Sequence, residues 1–291
     1  MGDFFITSFI LALATSLPEL FVGITSALEG SPALSLGNII GSNITNLSLI
    51  MGGTAIVGGG LAVRGNFLRR DVFYAFLAGA APMLLLYDRS LSRIDAVILL
   101  ALYVFYNISV FSERMKDLAE ETGKQEKFVT KLIRKLNYNV PSRQLKEIGW
   151  VFLGVALLLF SADVLVKIAI KIAYGLNLSL LLIGLFLVSL GTTLPELVFG
   201  IKAVRQRKNS MVFGNLLGSI VANGTLIIGV ASLISPFKVK AFSDYLLATM
   251  VYVIVFGLFY LFIHSKRKLE KWEGAVLIGV YLLFLLVEFF R

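Results

Sequence analysis

Apolar and polar positions alternate along this chain in long blocks. Nine stretches read as membrane spans: Phe4–Leu28, Leu34–Val57, Val72–Tyr87, Ile94–Phe111, Ile148–Tyr174, Leu178–Val204, Met211–Ile234, Tyr245–Ile263 and Gly274–Phe290. A helix that crosses about 30 Å of hydrocarbon needs about 20 apolar residues, and the blocks are on that scale. The pattern therefore predicts an all-α integral membrane protein with about nine transmembrane helices. The first block is not expected to be a cleaved leader, because it lacks a basic n-region and carries Pro18 and Glu19 inside its apolar run. Asp71, Asp95 and Asp244 open three of the spans, where a carboxylate would cap free N–H groups and suit the helix dipole.

Composition agrees with a membrane protein. Hydrophobic residues make up 57% and charged residues 15%, against about 25% charged in soluble domains. With no cysteine, disulfides and thiolate metal sites are excluded. The net charge of +9 does not point to nucleic acid, because the basic residues sit in loops between apolar blocks. Of the Lys and Arg residues, 20 fall on one side of the predicted membrane and 7 on the other. The rich side is expected to be cytoplasmic. That places the N-terminus of this chain and the loop 112–147 inside and the C-terminus outside, in a plasma or inner membrane.

A stretch of the chain occurs twice. Leu11–Gly52 and Val188–Gly229 agree at 16 of 42 positions without a gap, at a constant offset of 177. Thr15, Leu17, Pro18 and Glu19 fall on Thr192, Leu194, Pro195 and Glu196; Gly37, Asn38, Gly41, Ser42 and Asn46 fall on Gly214, Asn215, Gly218, Ser219 and Asn223. The copies begin five spans apart, and an odd separation means that they cross the membrane in opposite senses. Inverted repeats with interrupted helices at matching places point to a transporter whose site lies near the midplane. The organisation is then a first half 1–111 with its signature at 11–52, a basic loop 112–147, and a second half 148–291 with its signature at 188–229.

The chemistry centres on Glu19 and Glu196. An acidic side chain near the bilayer centre costs about 2.5–3.5 kcal/mol on insertion scales, and a cation shared between two carboxylates would offset that cost. Thr15 precedes Glu19 by one helical turn, and Thr192 precedes Glu196 likewise, so each pair shares a helix face. Each proline removes an N–H just before its Glu and is expected to bare carbonyls a turn earlier, near Ala12, Leu13, Ser189 and Leu190. On the next span Ser42 and Asn46 are four apart, as are Ser219 and Asn223. Gly37, Gly41, Gly214 and Gly218 would let crossing backbones approach closely. The set is all oxygen, which suits hard cations such as Ca²⁺ or Na⁺; the absence of clustered His and Cys argues against zinc, copper or iron.

Two further readings concern the loop and the energy source. Phe128, Leu132, Ile133 and Leu136 fall at helical spacing among Lys127, Lys131, Arg134 and Lys135, which suits a helix lying on anionic lipid. No D-x-D-x-D-G calcium loop is present there. No G-x-x-x-x-G-K-[ST] phosphate loop occurs, so transport would run on an ion gradient or passively, and the protein is not expected to be an enzyme or to hold a cofactor.

TSLPEL with GNIIGSNITN, and TTLPEL with GNLLGSIVAN, resemble the two α-repeats of the sodium/calcium exchanger family within the calcium/cation antiporter superfamily. The resemblance implies ten helices in two inverted halves of five, and exchange of Na⁺ for Ca²⁺ at a central site by alternating access. It also implies roles by position. Glu19 and Glu196 resemble the paired acidic ligands, and Thr15, Thr192, Ser42 and Ser219 the hydroxyl or carbonyl ligands. Ala12 and Ser189 sit at carbonyl positions of flanking sodium sites, and Asn46 and Asn223 at the amide-or-acid position in the middle. Proton-coupled Ca²⁺ exchange is the alternative within transport; a cation channel or a non-transporting scaffold is the alternative outside it. The sequence leaves the oligomeric state open.

The chain departs from the pattern in three places. Asn223 stands where many members have Asp, and Ile220 stands at the position that holds Asn43 in the first repeat. Ile148–Tyr174 precedes the second signature as a full helix, whereas only three residues precede the first span. The reading favours a segment missing from the start over a nine-helix variant whose gap is filled by lipid or a partner.

Overall fold

The computed structural model describes residues 12–62, 67–122 and 142–290. In the first half a helical turn at 12–15 breaks at Ser16 and continues as α1 (Leu17–Leu28). Then α2 (Pro32–Thr45) runs through a π-helical segment (Asn46–Ile50) into α3 (Met51–Gly58). β1 (Leu61–Ala62), α4 (Phe67–Leu85), β2 (Ser90–Leu91) and α5 (Arg93–Thr122) follow. The second half opens with α6 (Ser142–Leu176). A broken helix comes next: α7 (Leu180–Ile183), a π-helical segment (Gly184–Val188), α8 (Ser189–Thr192) and α9 (Leu194–Arg205). α10 (Asn209–Val221), a π-helical segment (Ala222–Ile227) and α11 (Ile228–Ile234) form one long path. β3 (Phe237–Lys238), α12 (Phe242–Lys266), β4 (Lys268–Leu269) and α13 (Lys271–Phe289) complete it.

Among the described residues, seven helices are long and apolar enough to cross a bilayer, and the pair Leu180–Thr192 and Leu194–Arg205, bent by 41°, makes eight when counted as one broken span. These correspond to the eight predicted spans from Leu34 onwards. The predicted span Phe4–Leu28 is represented by α1, and its start lies outside the described residues, as do the basic amphipathic positions 128–136.

Burial sorts the spans into a core and a belt. The Pro32–Gly58 and Asn209–Ile234 spans are 83% and 72% buried in their apolar windows, while Arg93–Val110 and Leu153–Leu176 reach only 17%. The belt exposes Leu102 and Phe105 on α5, Leu157 and Phe160 on α6, Ile254 and Leu261 on α12, and Leu282 and Leu283 on α13. Such continuous apolar exposure suits lipid and not water. The two core spans are the glycine- and asparagine-rich segments of the repeats.

Two short ladders tie the halves together. β1 pairs antiparallel with β4 at one end of the bundle, and β2 with β3 at the other. At an offset of 177, β1 corresponds to β3, and β2 to β4 within one residue. Each half thus contributes one strand to each end, with the order reversed, which is what an inverted duplication requires. Lys266, Lys268 and Lys271 gather at the β1·β4 end, and Arg89, Arg93 and Lys238 at the β2·β3 end.

Close backbone contact in the core needs the glycines. A side chain at Gly37 would meet the Leu181 carbonyl, and one at Gly41 the Leu185 carbonyl and the Ser189 hydroxyl. α2 therefore lies against the broken second-half helix at backbone distance. On the other side α6 covers α1 with a seam of Ala162, Val166, Ala169 and Ala173, packed on Val22, Leu34, Ile183 and Val188. Steps of four, three and four keep these small residues on one helix face.

The three aspartates behave differently from one another. Asp95 fits the expected capping role: its carboxylate accepts the Ser92 backbone N–H at 2.8 Å. Asp244 instead accepts the hydroxyl of Ser179 at 3.0 Å, linking α12 to the N-cap of α7. Asp71 lies four residues inside α4 and not at its start.

Candidate ion-binding site

Each repeat contributes one broken helix and one helix with a π-helical segment. Pro18 and Pro195 sit at the first turns of α1 and α9, a position that tolerates their missing N–H. The chain turns at Ser16 and at Thr193, so Glu19 and Glu196 open the helices that follow the breaks. Asn46 begins one π-helical segment and Asn223 lies in its counterpart. A π-helical turn inserts a residue into the ladder, and such turns concentrate at functional sites.

The sequence-predicted residues converge. Glu19 and Glu196 are fully buried, at 0% and 2% exposure, and close enough to interact electrostatically. Among the described residues, none of their four carboxylate oxygens has a hydrogen-bond partner and neither forms an ion pair. Thr15, Thr192, Ser42, Ser219, Asn46, Asn223, Ala12 and Ser189 are buried with them.

The i, i+4 spacing suggested that each threonine serves the glutamate of its own repeat. In the structure each acts on the other: the Thr192 hydroxyl neighbours Glu19, and the Thr15 and Ser219 hydroxyls neighbour Glu196. The threonine protons go elsewhere. Thr15 donates to Asn215 Oδ1 at 3.1 Å, and Thr192 donates to Asn38 Oδ1 at 3.0 Å. The two bonds are equivalent under the repeat offset and cross between the repeats in opposite directions. A hydroxyl has one proton and two lone pairs. With its proton on asparagine, each threonine offers a lone pair in the space it shares with a carboxylate.

The expected bare carbonyls are not found at two positions. Ala12 O accepts the Ser16 N–H at 3.1 Å, and the Thr15 hydroxyl, its proton given to Asn215, lies 3.2 Å away. Ser189 O accepts the Thr193 N–H at 3.0 Å and the Thr193 hydroxyl at 2.8 Å, with the Thr192 hydroxyl, its proton given to Asn38, 3.3 Å away. Backbone N–H groups one turn on fill the acceptors near the breaks. The Ser189 hydroxyl itself turns back to Leu185 O.

Four polar residues outside the predicted set help to build the site. Asn38 and Asn215 receive the threonine protons. Ser16 donates to Ser219 at 3.1 Å across the repeats, and Asn223 Nδ2 donates to Asn43 Oδ1 at 3.0 Å. Asn38 and Asn215 were visible as an identical pair in the repeat alignment. Nothing local in the sequence marks Ser16, and Asn43 stands out there only as the position that holds Ile220 in the second repeat. Beside Glu196 lies a cavity of about 10 Å³ bounded by Asn215, Ile50, Phe199, Gly200, Val212 and Leu216, on the scale of one water-sized occupant. A larger cleft, of about 40 Å³, runs from Ala12, Leu13 and Gly218 to Tyr103, Asn107 and Asp71.

Among the described residues there is no group of three or more His, Cys, Asp or Glu side chains placed to hold a metal ion. The arrangement is two carboxylates amid neutral oxygens, a donor set for hard cations.

Comparison with known proteins bears on what this arrangement is. A family model described as sodium/calcium exchanger protein matches residues 1–112 and 146–290. The sodium/calcium exchanger MaX1 of Methanosarcina acetivorans is 28% identical over 316 aligned residues, covering 100% of this chain and 90% of that protein. The inner membrane protein YrbG of Escherichia coli is 31% identical over 250 residues, covering 84% of this chain and 74% of its own. A solved structure of the sodium-calcium exchanger NCX_Mj, soaked with Na⁺ and Ca²⁺, superimposes with a TM-score of 0.66 at 28% identity, over 97% of this chain and 85% of that one. The chain belongs to the sodium/calcium exchanger family and is an integral membrane cation antiporter of that type.

Proposed function

We propose that the protein exchanges Na⁺ for Ca²⁺ by alternating access, with Glu19 and Glu196 as the shared acidic ligands. The observation that carries this reading is the pair of buried, mutually interacting carboxylates with four unpartnered oxygens. Two facing carboxylates left bare in a low-dielectric core repel each other, and a divalent cation or a set of monovalent cations between them removes that repulsion. Thr15, Thr192, Ser42 and Ser219 supply hydroxyl oxygens, and Asn46 and Asn223 supply amide oxygens. The carbonyls of Ala12 and Ser189 already accept backbone N–H groups one turn on, so they join only through a second lone pair.

Competition follows from this donor set. Ca²⁺ and Na⁺ occupy overlapping oxygens, so they displace one another, and neutralising the two glutamates permits the switch between access states. The cleft from Ala12 and Gly218 towards Asn107 and Asp71 is the approach we assign from one side of the membrane. The basic asymmetry of the loops sets that side as cytoplasmic, with the C-terminus outside, in a plasma or inner membrane.

The test is flux of labelled Ca²⁺ into vesicles holding the purified chain, with Na⁺ and pH gradients imposed separately. Uptake driven by an outward Na⁺ gradient supports the reading. Uptake that follows only the pH gradient replaces sodium coupling with proton exchange on the same glutamates. Uptake that needs neither gradient makes the protein a channel, and no movement with intact binding makes it a scaffold.

A further inference from the structure

The two central asparagines occupy equivalent places and have different surroundings. Asn223 gives its Nδ2 proton to Asn43 Oδ1 at 3.0 Å, and its own Oδ1 is buried and unpartnered. Asn46, its counterpart in the first repeat, is 0% exposed, and among the described residues neither its Nδ2 nor its Oδ1 has a hydrogen-bond partner. The repeat offset explains the difference. The pair 43 and 223 maps onto 220 and 46, and position 220 is Ile. Ile220 is fully buried in the apolar cluster, directed towards Gly79 on α4, and has nothing to offer an amide.

An amide side chain has two chemically opposite ends. Its oxygen can hold a cation, and its NH₂ group repels one. A neighbour that accepts from the NH₂ end decides which end faces the site. We propose that Asn43 is a positioning residue: by accepting the Asn223 amide proton it holds the Asn223 oxygen towards the cation, while Asn46 turns freely because Ile220 stands where its partner would be. The inference rests on the ion site proposed above and assigns it an asymmetry. One central oxygen is preset, and the other is recruited on binding.

The experiment uses the full chain in lipid nanodiscs, with Ca²⁺ and Na⁺ binding measured by calorimetry. Asn43→Ile copies the second repeat into the first and removes the orienting acceptor. Ca²⁺ affinity should fall about tenfold, the scale of one buried hydrogen bond that selects an orientation. The exchanged variant Asn43→Ile with Ile220→Asn moves the acceptor to Asn46, and Ca²⁺ affinity should return to within about threefold of the original, because the site is pseudo-symmetric. Rescue by the exchange is a result that a packing role would not produce.

Unchanged affinity in Asn43→Ile overturns the proposal, as does a loss that the exchange fails to recover. If Asn43→Ile does not fold, the exchanged variant decides by the same criterion. Failure of both to fold marks Asn43 as a packing residue and overturns the assignment. Glu19→Gln and Glu196→Gln separate this from the underlying reading. If they abolish Ca²⁺ binding while Asn43→Ile does not change it, only the positioning role falls. If they leave binding intact, the site itself is wrong.

Discussion

The first and second repeats are built to one plan and are held in different ways. Where they coincide, the polar atoms cross over: Thr15 bonds Asn215, and Thr192 bonds Asn38. Where they diverge, the difference lies just outside that crossing. Ser16 reaches across to Ser219, while its counterpart Thr193 bonds back to Ser189 O within its own segment. Among the described residues, Asn223 Nδ2 bonds Asn43, whereas Asn46 has no hydrogen-bond partner. α6 covers the outer face of α1, but among the described residues the matching face of α9 leaves Leu194 and Val198 exposed at 56% and 65%. Agreement marks the proposed ion site, where both halves must supply oxygen to one cation. Divergence marks the frame, where one half can be anchored more firmly than the other.

Removing a glutamate should break the comparison most severely. Glu19→Gln and Glu196→Gln each delete one of two charges in a low-dielectric site, where a unit charge at about 4 Å is worth about 4 kcal/mol at an effective dielectric of about 20. Ca²⁺ affinity should fall by about a hundredfold or more in both, as read by calorimetry. A variant that keeps near-original affinity would show that the two halves are not equivalent at the centre.

The glycines give the next largest effect, and an unequal one. Gly41→Ala places a methyl against the Leu185 backbone carbonyl, whereas among the described residues Gly218→Ala meets only the Ala12 methyl. Backbone gives way less easily than a side chain, so overpacking should cost about 3 kcal/mol at Gly41 and about 1 kcal/mol at Gly218. Thermal unfolding in detergent checks the ranking, and equal shifts in Tm would reject it.

A smaller effect tests the crossed threonines. Thr15→Val and Thr192→Val keep the shape and remove the hydroxyl. Each should weaken Ca²⁺ binding about tenfold, the two agreeing within about threefold, since each removes the same bond from opposite repeats. A loss confined to one threonine would mean that only one crossing reaches the cation.

The smallest effect belongs to the membrane surface. Glu270 opens α13 with a capping box shared with Glu273. The Trp272 indole N–H and then Lys266 hold the Glu270 carboxyl below the ordinary carboxylate range. A lowered folded-state pKa stabilises above the unfolded value and ceases to do so as the pH falls through the folded one. Glu270→Gln should therefore lower Tm slightly at neutral pH and not at all in strong acid. A pH-independent difference would assign the effect to capping alone.

The spans were legible because burial in lipid demands long apolar runs whatever their neighbours do. The eight spans from Leu34 onwards appear as helices at nearly the predicted places. The break at each Pro-Glu pair was legible too, since proline removes a donor in any context. The partners of the freed groups were not. Spacing along a helix placed Thr15 beside Glu19, yet its hydroxyl bonds Asn215, 200 residues away. No local rule connects those positions. The same limit hid Ser16 and Asn43, whose partners Ser219 and Asn223 are equally remote.

From the sequence alone came the membrane, the duplication, its inverted sense and the family, because each follows from composition, periodicity or repeated motif along one dimension. Tertiary structure alone decided how the two copies meet: which threonine faces which glutamate, which carbonyls are already filled, and which of two equivalent amides is held. The reason is geometric. A hydroxyl or an amide has few directions in which it can bond, and the nearest acceptor in space is chosen by how whole helices cross, which the order of residues in either helix does not record.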